Sequence, residues 1–140
     1  MAFWDTSAIV PLCCSQPATA RCKSLFREDP RLVAWWGAPV EARSALARLR
    51  REGRLTAAGR ATAVGLLARL RVSWDEILPS ERVRALAEDL PDEYAVRAAD
   101  ALQLAAALVW CREKPRRRAV VCFDDQLAKA AAAVGFTVRS

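Results

Sequence analysis

Asp5, Asp100 and Asp124 place carboxylates in segments that otherwise read as buried. Asp5 follows Ala2-Phe3-Trp4, Asp100 interrupts the apolar run from Ala98 to Trp110, and Asp124 follows Ala119 to Phe123. An ionised carboxylate withdrawn from water is costly unless it is paired or bound to a cation. One explanation covers all three: converging carboxylates that hold a metal ion. Oxygen-only ligation selects hard cations, so magnesium or manganese is expected rather than zinc or copper. Such an ion bridges to phosphate oxygens, activates water and stabilises a leaving oxygen, which suits phosphodiester hydrolysis.

Composition removes competing chemistries. The 140 residues contain no histidine, which excludes histidine-based acid/base pairs, Ser/His/Asp and Cys/His triads and most catalytic zinc sites. The formal charge is +6, with arginine far outnumbering lysine. That balance fits an anionic partner such as a phosphate chain, or else a biased composition with no partner behind it. Five cysteines (Cys13, Cys14, Cys22, Cys111, Cys122) show no paired metal-binding spacing and read as reduced core residues. Without a basic leader or an apolar run of membrane-spanning length, a cytoplasmic protein with no membrane association is expected. The length suits one domain, residues 1–140.

The acids must be positioned by the elements around them. Short apolar runs alternate with longer helical patterns, the signature of a parallel sheet. Strands are expected at Ala2–Asp5, Leu32–Trp36, Val72–Trp74, Ala119–Phe123 and Phe136–Arg139. Helices are expected from about Ser7, at Ala18–Glu28, from Pro39 to Glu52, from the cap Thr56 to about Leu70, at Glu81–Asp89 behind Ser80, at Val96–Glu113 and at Gln126–Val134. Val96–Glu113, apolar on every side, should be central and buried. The fold class is a three-layer α/β/α arrangement around a mostly parallel sheet of four to five strands.

In such a sheet the ligand crevice lies beyond the carboxyl ends of the strands. Asp5 and Asp124 end their expected strands, Asp100 enters at the same edge, and Glu41 lies in the first turn of the helix after the second strand, so the four should converge. Each position also has a plainer role: Asp5 as an N-cap, Glu41 as a first-turn residue paired with an arginine, Asp100 paired with Arg97, and Asp124 or Asp125 as the cap of the next helix. Ser7 could cap the first helix or orient Asp5. Thr6 and Asp125 are secondary site candidates, and Arg97 is placed to meet a phosphate.

Four segments together resemble the PIN-domain ribonucleases, and within them the VapC-type toxins of toxin-antitoxin pairs, along nearly the whole chain. They are Phe3-Trp4-Asp5-Thr6-Ser7-Ala8, Val40-Glu41 with Ser44-Ala45-Leu46, Arg97-Ala98-Ala99-Asp100-Ala101-Leu102-Gln103-Leu104-Ala105, and Cys122-Phe123-Asp124-Asp125-Gln126-Leu127. The resemblance implies a PIN-like fold, an acidic pocket of Asp5, Glu41, Asp100 and Asp124 supported by Ser7, and a magnesium- or manganese-dependent endoribonuclease leaving 5′-phosphate and 3′-hydroxyl ends. It also implies a homodimer and a small antitoxin whose tail enters the pocket. Members often carry histidine where Gln103 stands.

Rival classes fit less well. A phosphoacceptor receiver needs an acidic pair after the first strand and a lysine where Asp124 stands, and an aspartate-nucleophile phosphatase needs a second Asp where Ser7 stands. A catalytically inactive module of the same fold, binding nucleic acid or protein, remains the alternative. The run Arg116-Arg117-Arg118 precedes the strand leading to Asp124 and should lie roughly 16 Å from the acids, as a solvated loop. Trp35, Trp36, Trp74 and Trp110 suit core or interface packing, or base stacking.

Overall fold

Strands covered on both faces need apolar residues at every position, and the three central ones have them. The computed structural model describes residues 1–140. The elements are β1 (Ala2–Trp4), α1 (Thr6–Cys13), α2 (Thr19–Glu28), β2 (Leu32–Trp35), α3 (Ala38–Arg51), α4 (Ala57–Ser73), β3 (Asp75–Ile77), α5 (Glu81–Glu93), α6 (Ala98–Trp110), β4 (Ala119–Val121), α7 (Asp125–Val134) and β5 (Thr137–Arg139). The five strands form one sheet in the order β3-β2-β1-β4-β5, every pair parallel. The direction of strand order reverses at β1, so the crevice of this sheet opens between the ends of β1 and β4.

Alternation along the strands sorts side chains into two cores, giving the expected three layers. Phe3, Val33, Trp35 and Val120 face the side covered by α5, α6 and α7. Ala2, Trp4, Leu32, Ala34 and Val121 face α1, α2, α3 and α4. No helix is long and apolar enough to cross a membrane, and all five cysteines are free thiols.

Several expected boundaries move, among them α5, which runs to Glu93 rather than Asp89. The third strand is Asp75–Ile77 rather than Val72–Trp74, because α4 continues through Ser73 and Trp74 is its buried C-terminal anchor. As an edge strand β3 is only partly covered, so it lacks the apolar signature of its neighbours. The central helix begins at Ala98 rather than Val96, since Arg97 is an extended N-cap, and it ends at Trp110, beyond which Arg112 and Glu113 adopt positive φ. Its buried stretch, Ala101 and Gln103 to Leu108, packs against the sheet as expected. Finally, Asp5 and Asp124 lie just past the strands and serve as the N-caps of α1 and α7.

Gly135 ends α7 at φ 116°, a region L side chains rarely adopt, whereas Gly65 lies inside α4 with open space where a Cβ would stand. Gly135→Ala should therefore destabilise the fold by about 1–2 kcal/mol, and Gly65→Ala should stabilise it by up to about 1 kcal/mol. Urea denaturation of the two variants would measure these opposite signs.

Candidate active site

Residue 5 is the N-cap of α1, a position that calls for a side-chain oxygen acceptor. Its Oδ2 accepts the Ser7 backbone N–H at 2.9 Å, satisfying one orphan donor of the helix N-terminus, whose partial positive charge also favours an anion. Residue 5 nevertheless remains tied to the sheet, because its own N–H donates to the Val121 carbonyl at 3.0 Å. The side chain is only 5 % exposed. Burial pushes the Asp5 carboxyl above its ordinary range; the Ser7 hydroxyl and the backbone of Ser7 and Thr6 oppose the rise, and nearby Asp124 adds to it. Cys122, on the adjoining β4 segment, directs its thiol at Asp5 Oδ2 from 3.8 Å. That thiol is pushed up to about 12 by burial first and by Asp5 next, so it stays protonated and acts as a weak donor.

Ser7 does not cap α1; Asp5 does. The Ser7 hydroxyl instead accepts the Phe123 N–H at 2.9 Å, which pins the β4–α7 turn, and hence Asp124, beside Asp5. Asp124 Oδ1 accepts the Leu127 N–H at 2.9 Å as the cap of α7. Asp125 is exposed in the first turn of that helix, without a hydrogen bond to another side chain.

Glu41 projects from the first turn of α3. Its Oε2 accepts from the Thr6 hydroxyl at 3.2 Å and from the Gln103 amide at 3.0 Å. No arginine pairs with it. Burial raises its pKa above the usual carboxylate range; the Gln103 bond opposes that rise, and the negative charges of Asp5 and Asp100 reinforce it. Asp100 Oδ2 accepts the Arg97 backbone N–H at 3.2 Å. The Arg97 guanidinium approaches only to 3.9 Å from an 84 % exposed side chain, so it is a loosely held cation rather than a committed partner.

The structure thus brings the four acids into one electrostatic chain. Asp124 acts on Asp5, Asp5 on Glu41, and Asp100 on Glu41. Each carboxylate spends one oxygen on a positioning bond within the fold, while its second oxygen takes no hydrogen bond. A hard cation wants oriented oxygens of this kind with a free lone pair, and the crowding of like charge is relieved when one binds. The donor set therefore fits magnesium or manganese. No three of the carboxylates, however, close into a ready-made cage in this conformation.

Gln103 is the residue that sequence reasoning left outside the site. It is 1 % exposed, and its Nε2 bridges the Thr6 hydroxyl at 2.9 Å to Glu41, while its Oε1 has no partner. The signal was present: a polar amide one turn beyond Asp100 on a helix otherwise apolar at those positions. Thr6, a secondary candidate, is thereby part of the Glu41 network. Among the tryptophans, Trp35 and Trp74 are buried and Trp36 is half-exposed. Arg118 stacks over Trp110 at 5.6 Å, away from the acids.

Several solved structures share this fold. Mycobacterium tuberculosis VapC20, described as a sarcin-ricin loop cleaving toxin, superposes with a TM-score of 0.69 over 98 % of this chain and 97 % of its own at 19 % identity. A toxin-antitoxin complex from Klebsiella pneumoniae matches with a TM-score of 0.61 over 91 % of each chain at 15 % identity. FitAcB from Neisseria gonorrhoeae matches with a TM-score of 0.62 over 100 % of this chain and 97 % of its own at 21 % identity. The PIN-like fold read from the sequence is the fold of this chain. Neither a protein-family profile nor a curated protein sequence matches it.

Because the folded Asp5 carboxyl titrates above its unfolded value, the native state holds the extra proton between those two points and loses relative stability as pH rises through that window. Asp5→Asn removes the buried charge and keeps an oxygen to accept the Ser7 N–H. In a chelator-containing buffer it should melt higher than the parent at neutral pH. That advantage should shrink as pH falls toward 4, near the unfolded Asp value; a constant or inverted difference in calorimetric melts would contradict a buried, repelled Asp5.

Proposed function

We propose that this chain is a divalent-metal-dependent endoribonuclease, the toxin of a toxin-antitoxin pair. The observation that carries the reading is the set of carboxylates at the crevice of the sheet, each oriented through one oxygen by a hydrogen bond within the fold and open at the other. Asp5, Glu41, Asp100 and Asp124 would hold magnesium or manganese. When bound, the ion would neutralise charge and lower the pKa of water so that, on losing a proton, it can attack phosphorus in line, and the products would carry 5′-phosphate and 3′-hydroxyl ends.

The side chains divide the remaining work. Asp5, buried and fixed by Ser7, would be the central anchor. Glu41, raised in pKa and held by Thr6 and Gln103, is suited to taking a proton from the attacking water. Arg97, exposed beside Asp100, would meet a non-bridging phosphate oxygen. Gln103 acts through Glu41 as a positioning residue. The toxin assignment draws on the shared fold with VapC20 and the Klebsiella complex, and extends to a homodimer, a cytoplasmic setting for the free thiols, and a small antitoxin reaching the acids.

One observation favours a second reading. The lack of a closed three-acid cage suits a non-catalytic nucleic-acid or protein-binding module of the same fold.

Purified protein with RNA separates the two. Cleavage should require magnesium or manganese, stop on chelation and return with excess metal. Asp5→Asn and Asp100→Asn should each lower the rate by about 100-fold or more, since a ligand lost from the ion forfeits several kcal/mol of charge stabilisation, with a circular-dichroism spectrum like the parent's. Intact RNA with both metals would overturn the ribonuclease and leave the binding module. Gln103→Leu, which strips Glu41 of its amide donor, should cost about 10–100-fold and move the acid limb of the pH–rate profile, which reports Glu41 as base, upward; an unchanged pH profile would remove its positioning role.

A further inference from the structure

The segment Ala38–Ser73, comprising α3 and α4, contains eight arginines, two glutamates and no lysine or aspartate, so it carries the entire net charge of +6. The rest of the chain holds fourteen residues of each sign. The imbalance is therefore concentrated on one helical hairpin, and Glu41 of the acid network lies in its first turn.

Beside the acids lies a cleft of about 460 Å³ between α1, the α1–α2 turn and α3. Its lining includes Thr6 and Ser7, the residues that hold Glu41 and Asp5, together with Arg48, Arg54, Gln16 and the half-buried Phe123. Arg48 follows Glu41 by seven residues, hence on nearly the same helix face and about 10 Å along it. Arg48 forms no ion pair, and Arg54 meets only the exposed Glu52 at 3.6 Å. Such a surface pair is worth little and yields easily to a stronger anion.

We propose that this cleft binds the single-stranded RNA flanking the scissile phosphate, with Arg48 and Arg54 contacting successive backbone phosphates. The inference rests on the ribonuclease reading and assigns its substrate path. A negatively charged pocket repels the polyanion it must cut, and a cationic wall one or two helical turns away supplies the attraction that draws the strand across it. Guanidinium groups suit phosphate through bidentate contact, and Phe123 and the methylene stems offer an apolar surface for a ribose or base. The Arg116–Arg118 loop, at the far end of β4, takes no part.

The test is binding of a short fluorescein-labelled single-stranded RNA, followed by anisotropy at several salt concentrations in chelator, where no cleavage occurs. Arg48→Gln/Arg54→Gln should weaken binding about tenfold or more and lower the slope of log K against log salt by about 1.4, or about 0.7 for each single variant. Arg116→Gln/Arg117→Gln, with exposed side chains of the same type, should leave both unchanged. An unaltered slope in the first pair, or an equal loss in the second, overturns the cleft. So does an acidic peptide that requires Arg48 and Arg54 while RNA binding does not. RNA binding with the expected slopes but no cleavage under magnesium or manganese sinks the ribonuclease and keeps the cleft. Cleavage with unaffected binding in Arg48→Gln/Arg54→Gln sinks the cleft and keeps the ribonuclease.

Discussion

The arrangement depends on a single costly placement: an almost wholly buried Asp5 carboxylate where strand order reverses. An anion there must be compensated by everything around it. The N-terminus of α1 supplies a backbone donor, Cys122 a thiol, and Ser7 a link that fixes the neighbouring turn rather than adding a charge. No arginine or lysine neutralises Asp5, and the nearest charged groups acting on it and on Glu41 are also acids. A fold optimised only for stability would place an apolar residue or a salt bridge at this point. Retaining the charge makes sense if the site is completed by a cation from solution.

The same logic runs outward in layers. Around the four carboxylates lies a shell of neutral polar groups, Thr6, Ser7 and Gln103, each using its hydrogen bond to aim an acid rather than to neutralise it. Beyond them lies the arginine-rich hairpin of α3 and α4. Negative charge at the centre and positive charge on the flank form a dipolar surface. The neutral balance of the remaining residues keeps this field local.

Much of this was legible in the residues themselves. Unbroken apolar runs such as Phe3-Trp4 and Val120-Val121 can be stable only as strands covered on both faces, and an acid directly after such a run marks the ligand edge of a parallel sheet. Edge strand β3 escaped because its residues are half-solvated and its start is disguised by Trp74, which anchors α4. The ends of α6 shifted because helix termini are set by backbone geometry at Arg97 and Arg112, where side-chain pattern says little. Gln103 was read as a substituted position rather than a member of the site, since an amide on an apolar helix face has no meaning until its partners are known.

By itself, then, the amino-acid order determined the class of fold, the placement of Asp5 and Asp124 just past strands, and the exclusion of imidazole chemistry, because composition and burial pattern are local properties of the chain. Tertiary structure alone decided which oxygen of each carboxylate is committed and which is open, that Ser7 binds across to Phe123 instead of capping α1, and that the acids are coupled in sequence yet short of a closed cage. It also placed Arg48 and Arg54 on the wall of a cleft beside those acids. These are relations between residues up to 117 positions apart, and only the packing of helices onto the sheet fixes such distances.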